Sequence, residues 1–265
     1  MTSSIGHPST EIEYPDTDGL PMAESDFQRQ YLSYSVEVLR IYFQNHPDVY
    51  VSGNLFIYYE QGNPKAVVAP DVFVVFGVAK RDRFSYKLWI ESNKAPDFVL
   101  EITSKSTVGE DQGVKRGVYA FLGVKEYFQY DPTNDYLEPQ IKGLRLIEGN
   151  YQPMPTTVLP DGSRVLMSEV LALELRVQAD SLRFHNPVSG EKLLTHQESE
   201  QARAEAEQAR AEAEQARAES EQARAEAERA LHQAVLRLLQ LGLSVEQVAG
   251  ALSLSVQQVI QASQE

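Results

Sequence analysis

The sequence predicts an α/β domain on a mixed sheet, followed by an Ala-rich heptad helix and a small helical tail. Three observations carry that prediction. Short runs rich in β-branched and aromatic residues alternate with segments of helical apolar spacing before position 190. Residues 201–228 hold four copies of a seven-residue unit, QARAEAE, with one departure at Ser220. Two Ser-x-x-Gln boxes, at Ser244 and Ser255, then open short apolar segments. Four spans result: a loose Pro/Ser/Asp/Gly-rich start (1–21), the α/β domain (22–190), the heptad helix (191–229) and a helix-turn-helix-like tail (230–265).

Each element has a local reason. Residues 23–44 read as a helix because Leu32, Val36, Leu39 and Phe43 fall at helical spacing and His46-Pro47 closes the segment. Residues 49–52, 55–59 and 72–76 read as strands, with Gly62-Asn63-Pro64 as a turn. Another strand spans 98–103, and a helix over 110–121 is closed by Gly123. A strand at 126–130 ends at Asp131-Pro132. Short strands at 144–147, 173–177 and 181–185 follow, the last two joined by a hairpin over Gln178-Ala179-Asp180. In the tail, 230–241 reads as a separate short helix ending at Gly242, before the two boxed segments.

The repeat has a defined frame. Ala202, Ala206, Ala209, Ala213 and their successors step by four and three, as d and a positions do. Glu205 then stands at g and Arg210 at the following e, the charge arrangement of a parallel pair. A single solvated helix is the competing reading, since Ala, Glu, Gln and Arg all favour helix and an Ala seam buries little. A homo-oligomer through 197–230 is the expectation carried forward.

Composition narrows the function. The chain has 265 residues, 24 Lys+Arg, 38 Asp+Glu and a net charge of −14. That balance opposes tight non-specific binding to nucleic acid, although a locally basic groove remains compatible with it. The absence of cysteine removes disulfides, thiol nucleophiles and Cys-zinc sites. The first residues lack a basic and an apolar region, and the longest apolar stretch, 67–79, is broken by Pro70 and Asp71. A cytoplasmic chain without a signal peptide or membrane span is the expectation. The five histidines have no metal-ligand spacing, and no P-loop, GxGxxG or GxSxG occurs.

Two carboxylates stand out. Asp71 leads into VFVVF and Glu101 sits inside FVLEIT. An acid in an apolar strand is costly unless paired, and two on neighbouring strands would make a hard-oxygen site for Mg²⁺ or Mn²⁺. Lys115, on the following helix, would offset charge at a phosphodiester. The bland alternative has Asp71 ending a strand, Glu101 in one ion pair and Lys115 in solvent. Between the acids, Phe84, Tyr86 and Trp89 interleave with Lys80, Arg81, Arg83 and Lys87, as in a nucleic-acid contact or a solvated loop.

Pro70-Asp71, APDFVLEITSKST at 95–107, Asp111, Lys115, Tyr119 and GVKEYFQYDP at 123–132 together resemble the Uma-type restriction endonuclease family of the PD-(D/E)XK nuclease superfamily. The likeness covers residues 20–185. It implies a restriction-endonuclease-like core, a mixed sheet flanked by helices. It implies that Asp71 and Glu101 hold Mg²⁺ or Mn²⁺, with the Ile102 carbonyl as third ligand, and that DNA is the substrate. The superfamily pattern wants Lys two residues after the Glu, where Thr103 stands; Lys105 is two further on. Lys115 matches the family's helical lysine, so the cation has migrated. Superfamily members often carry an acid on the first helix, which points to Glu24, a residue equally suited to the helix dipole. Asp111 lies four residues before Lys115, the spacing of an ion pair along a helix. The expected activity is metal-dependent DNA cleavage. The alternative is an inactive nuclease-fold module that assembles through its helical tail.

Overall fold

Every residue of the strands Phe98–Ile102 and Glu126–Tyr130 is buried, so the sheet they belong to is covered on both faces. The structure, a computed structural model, describes residues 12–16, 25–104, 107, 109, 111–179 and 181–264. It divides into two compact units, Met1–Thr195 and His196–Glu265.

In the first unit, helix α1 (Asp26–Tyr42) precedes β1 (Val49–Ser52), β2 (Ile57–Tyr58), β3 (Val67–Val68), β4 (Val72–Phe76), β5 (Tyr86–Lys87) and β6 (Phe98–Ile102). A π-helical turn, Asp111–Lys115, runs into α2 (Arg116–Leu122). Then come β7 (Glu126–Tyr130), β8 (Ile141–Ile147), β9 (Asn150–Pro153), β10 (Thr157–Val158), β11 (Arg164–Ser168), β12 (Leu173–Gln178) and β13 (Ser181–His185). The main sheet has the order β1-β4-β6-β7-β8-β9 and is mixed, because β6 and β7 run parallel across α2 while its other pairs are antiparallel. A four-stranded sheet (β10-β11-β12-β13) and a three-stranded one (β3-β2-β5) complete the unit.

Strand alternation sorts the core into two layers. Val72, Val74, Phe98, Leu100, Ile102, Phe128 and Tyr130 face α1 and the four-stranded sheet. Phe73, Val75, Val99 and Tyr127 face the opposite way, toward Ile57, Tyr86 and Tyr119. Helix α1 is capped by Ser25, whose side chain accepts from Gln28 N. Its buried face is Tyr31, Tyr34, Ser35, Val38 and Leu39. The stripe expected from Leu32 and Val36 is rotated: both are only partly buried, because the larger Tyr31 and Tyr34 take the central positions.

Several boundaries differ from expectation. The strand expected over 55–59 shortens to Ile57–Tyr58, and that expected over 144–147 begins at Ile141. β3, β5, β9, β10 and β11 carry no separate sequence expectation, being short or polar. β8 and β9 are joined through Glu148 and Gly149, both at positive φ, the geometry of a tight hairpin. Gly123 caps α2 in the left-handed region (φ 79°), as the sequence predicts. Gln178 pairs with Ser181 in the expected β12–β13 hairpin; Asp180 lies outside the described residues.

The second unit is one long helix, α3 (His196–Gln240), then α4 (Val245–Leu252) and α5 (Val256–Gln264). The segment expected to be a separate helix from 230 continues α3 without a break. Nothing in the QARAEAE repeat or after it interrupts helical propensity before Gly242. Both capping boxes form: Ser244 N donates to Gln247 Oε1 (2.9 Å) and Ser255 N to Gln258 Oε1 (2.8 Å). Val235, Val248, Ala249 and Val259 make a small core. No described helix is long and apolar enough to cross a membrane.

One buried acid ties two sheets of the first unit together. Glu126, 1% exposed on β7, accepts from Ser168 Oγ (2.5 Å), Glu169 N (3.0 Å) and Arg145 Nη2 (3.0 Å). Glu126→Ala leaves those donors unpaired and is expected to cost about 3 kcal/mol, read as a lower urea midpoint with an unchanged m-value.

Candidate active site

β4 and β6 pair antiparallel with Val72 opposite Leu100, so the residue before Val72 falls beside Glu101. By strand alternation Asp71 shares the face of Phe73 and Val75, and Glu101 that of Val99. Both acids therefore point to the same layer, the one covered by α2. Gln129 on β7 stands opposite Glu101 and extends the row. Asp71 is held from behind by Gly53: a Cβ there would lie 2.2 Å from the Asp71 carbonyl oxygen, so only glycine permits the approach.

The acids are tightly engaged. Asp71 is 7% and Glu101 0% exposed. Asp71 Oδ2 accepts from Ile102 N at 2.7 Å, and Asp71 N donates to Glu101 Oε2 at 3.4 Å. Lys115 Nζ donates to the same Glu101 oxygen at 3.0 Å, and Tyr119 OH donates to Glu101 Oε1 at 2.5 Å. Lys115 Nζ also lies 3.1 Å from Asp111 Oδ1. That contact is an ion pair without hydrogen-bond geometry, and both carboxylate oxygens of buried Asp111 lack a hydrogen-bond partner. Tyr127 OH donates to the Asp111 carbonyl (2.8 Å) and accepts from Gln129 Nε2 (3.2 Å).

Charge dominates this pocket. Burial pushes the Asp71 carboxyl up to about 6; Lys115 and the Ile102 N–H oppose that without cancelling it. Burial, then repulsion from Asp71, raises Glu101 well above the carboxylate range. Burial alone would lower Lys115, but Glu101, Asp111 and Asp71 together raise it. Three acids and one ammonium leave two negative charges in excess when all are ionised. That excess and the unpartnered Asp111 Oδ2 suit a hard divalent cation in charge and donor type. Among the described residues no group of three or more acidic or histidine side chains is set to hold a metal ion. A bound ion would thus draw on Asp71, Glu101, a backbone carbonyl such as that of Ile102, and water.

The sequence-predicted residues separate clearly. Asp71, Glu101, Ile102, Asp111 and Lys115 come together. Thr103 stands at the strand end, buried, with Oγ1 unpartnered and its N–H donating to Tyr130 O (2.7 Å). Glu24 and Lys105 lie outside the described residues. Gly53, Tyr127 and Gln129 received no expectation, and Tyr119 no role. Gln129 was legible in principle, since a polar residue inside EYFQY breaks an apolar strand as Glu101 does. Nothing marked Gly53. The basic-aromatic segment is corrected in part: Tyr86 is core and Arg83 is bound bidentately by Glu91 over the Tyr50 ring.

The raised acids set a pH dependence. The folded state holds their protons more tightly than the unfolded chain, so the Asp71 contribution to stability falls as pH rises from about 4 to about 6, and Glu101, raised well above the carboxylate range, extends the fall to higher pH. Asp71→Asn keeps an oxygen for Ile102 N–H and removes the charge. It is expected to stabilise the protein by about 1–3 kcal/mol at pH 7.5, with the gain vanishing below about pH 4. Thermal melts of both proteins across that range check it.

Comparison with known proteins adds family information. Residues 5–179 match the Uma2 family, described as "Putative restriction endonuclease". No curated protein matches the sequence. Among solved structures, the chain resembles "a putative nuclease belonging to DUF820" from Anabaena variabilis ATCC 29413 at 16% identity, over 53% of this chain and 74% of that one, with a TM-score of 0.38. The family match spans well over half of the sequence and includes Asp71, Glu101, Asp111 and Lys115, and the chain therefore belongs to the Uma2 family of restriction-endonuclease-type proteins.

Proposed function

We propose that the chain is a metal-dependent endonuclease that hydrolyses phosphodiester bonds in DNA. The observation that carries this reading is the meeting of Asp71 and Glu101 on one sheet face, with Lys115 Nζ 3.0 Å from Glu101. Asp71, Glu101 and the Ile102 carbonyl would hold Mg²⁺ or Mn²⁺. Such an ion, when bound, stabilises charge on the phosphoryl oxygens and makes water a better nucleophile. Lys115 supplies a fixed positive charge to the non-bridging oxygens and orients the attacking water. Tyr119 keeps Glu101 in one rotamer through its hydroxyl, and Asp111 steadies Lys115 from the other side.

A second reading has two specific supports. Lys115 already closes on Glu101, and Thr103 stands where the superfamily pattern has lysine. An inactive module using the fold for assembly would look the same. Assembly would rest on the frame of the repeat, whose charges are paired along a single helix. In α3 each Gln at the c position donates to its own Glu at g, as in Gln208 to Glu212 (2.8 Å), while Arg217 pairs with Glu221 (3.1 Å). A parallel second copy would bring each g Glu beside an e Arg; an antiparallel copy would set like charges together.

Three outcomes are expected. Purified protein with Mg²⁺ or Mn²⁺ nicks plasmid DNA, and Asp71→Ala, Glu101→Ala and Lys115→Met each lower the rate at least about 100-fold; undiminished cleavage by the two acid variants removes the assignment. Millimolar Mn²⁺ raises the melting temperature of the wild type more at pH 8 than at pH 5, because protons compete for the raised acids, and leaves Asp71→Ala unshifted. Sedimentation of the full chain gives a dimer that Ala209→Glu with Ala216→Glu converts to monomer; equal masses for both proteins rule out pairing through α3.

A further inference from the structure

A cleft of about 300 Å³ opens at the edge of the main sheet, lined by Arg40 of α1, Tyr50 and Val51 of β1, and Lys80, Arg81 and Asp82. Three of its six lining residues are cations, against one acid, on a chain of net charge −14. Two of those cations are fixed in place by neutral groups. Arg40 Nε donates to the Val51 carbonyl (3.1 Å), and Lys80 Nζ donates to the carbonyls of Phe43 (3.1 Å) and Gln44 (3.4 Å). Among the described residues neither makes an ion pair. A carbonyl orients a cation without cancelling its charge, so both remain available to an anion in a prepared geometry.

The neighbouring surface continues the feature. A second cleft of about 340 Å³ shares Arg81 and Asp82 and adds Arg83, Phe84, Lys87 and Ile90. Glu91, which also lines this cleft, binds both Arg81 and Arg83, so Arg83 serves as wall, its guanidinium 4.1 Å above the Tyr50 ring. Phe84 is 86% exposed beside this basic strip, which places a flat apolar ring next to the cations. Cations that track a backbone with an aromatic ring alongside are the elements of a nucleic-acid surface. Register fixes its distance from the acids. Val51 pairs with Val74, three positions from Asp71 along β4, an offset of about 10 Å along the strand, and Tyr50 stands on the sheet face of the acids.

We propose that this cleft binds a backbone phosphate of the nucleic-acid substrate, with Arg40 and Lys80 as the binding cations and Phe84 as an adjacent base or sugar contact. The identity of the polyanion rests on the nuclease reading; the anion site rests on the cleft alone.

The test measures binding without cleavage, by fluorescence anisotropy of a labelled DNA oligonucleotide and the full-length protein in EDTA. Arg40→Gln with Lys80→Gln is expected to weaken binding at least about tenfold and to reduce the slope of log K against log salt by about 1. Lys80→Arg should retain most of the affinity, and Lys65→Gln, at an exposed turn, should bind as wild type. Phe84→Ala should weaken binding without changing the salt slope. Wild-type affinity and slope in the double variant overturn the proposal, as does failure of the unaltered chain to bind DNA at low salt. Competition by inorganic phosphate at concentrations matching the oligonucleotide's phosphates would mean a free-anion site and overturn it as well. Loss of cleavage in the unaltered chain with DNA binding intact bears on the hydrolytic centre and not on this cleft.

Discussion

Three buried carboxylates share one ammonium, and the layout of the first unit follows from that arrangement. Asp71, Glu101 and Asp111 repel one another in a low-dielectric pocket, where an unpaired charge is expensive. Lys115 answers part of the excess, and the hydroxyl of Tyr119 and the N–H of Ile102 answer more. The remaining cost is borne by the aromatic and aliphatic packing on both faces of the main sheet. A protein gains nothing in stability by keeping such a cluster, and sites of this kind are where perturbed acids and function coincide.

The first unit protects this cluster by ordinary means. Gly53 lets a backbone come within touching distance of Asp71. Glu126 and Asp131 are also buried acids, but they differ in kind. Glu126 is bound by a hydroxyl, an N–H and a guanidinium. Asp131 collects the N–H groups of Thr133, Asn134, Tyr136 and Leu137, which outweigh burial and pull its carboxyl below the usual range. Both are satisfied structural acids. Asp111, held only by the Lys115 ion pair and without a hydrogen bond to either oxygen, is not.

Legibility in the sequence follows the same physics. Glu101 was visible because a lone acid inside FVLEIT has no reason to be there in an amphipathic or apolar strand. The mixed sheet was visible because β6 and β7 are short β-branched and aromatic runs on either side of α2, which has a clean stop at Gly123. The helix face of α1 was misread because counting apolar residues ignores that tyrosines fill more of a core than Leu32 or Val36. Short strands such as β3 and β5 escaped because two residues cannot show a period. The roles of Tyr119 and Gln129 emerge only from cross-strand and helix-on-sheet neighbours, which no local window contains. In the second unit the repeat showed a helix at once but not its end, since its composition lacks any stop before Gly242.

The π-helical turn at Asp111–Lys115 has a geometric consequence. Along an ordinary helix, positions separated by eight residues diverge in azimuth by about 80°. Asp111, Lys115 and Tyr119 are such a set, yet Lys115 reaches both acids and Tyr119 reaches Glu101. A wider turn winds less per residue and so rotates its first member back toward the other two. One surplus residue in the ladder thus acts as a phase corrector, aligning three side chains into a single column above the sheet. Winding the same residues as an ordinary helix would leave Lys115 and Tyr119 in place and swing Asp111 about 80° away from Tyr119.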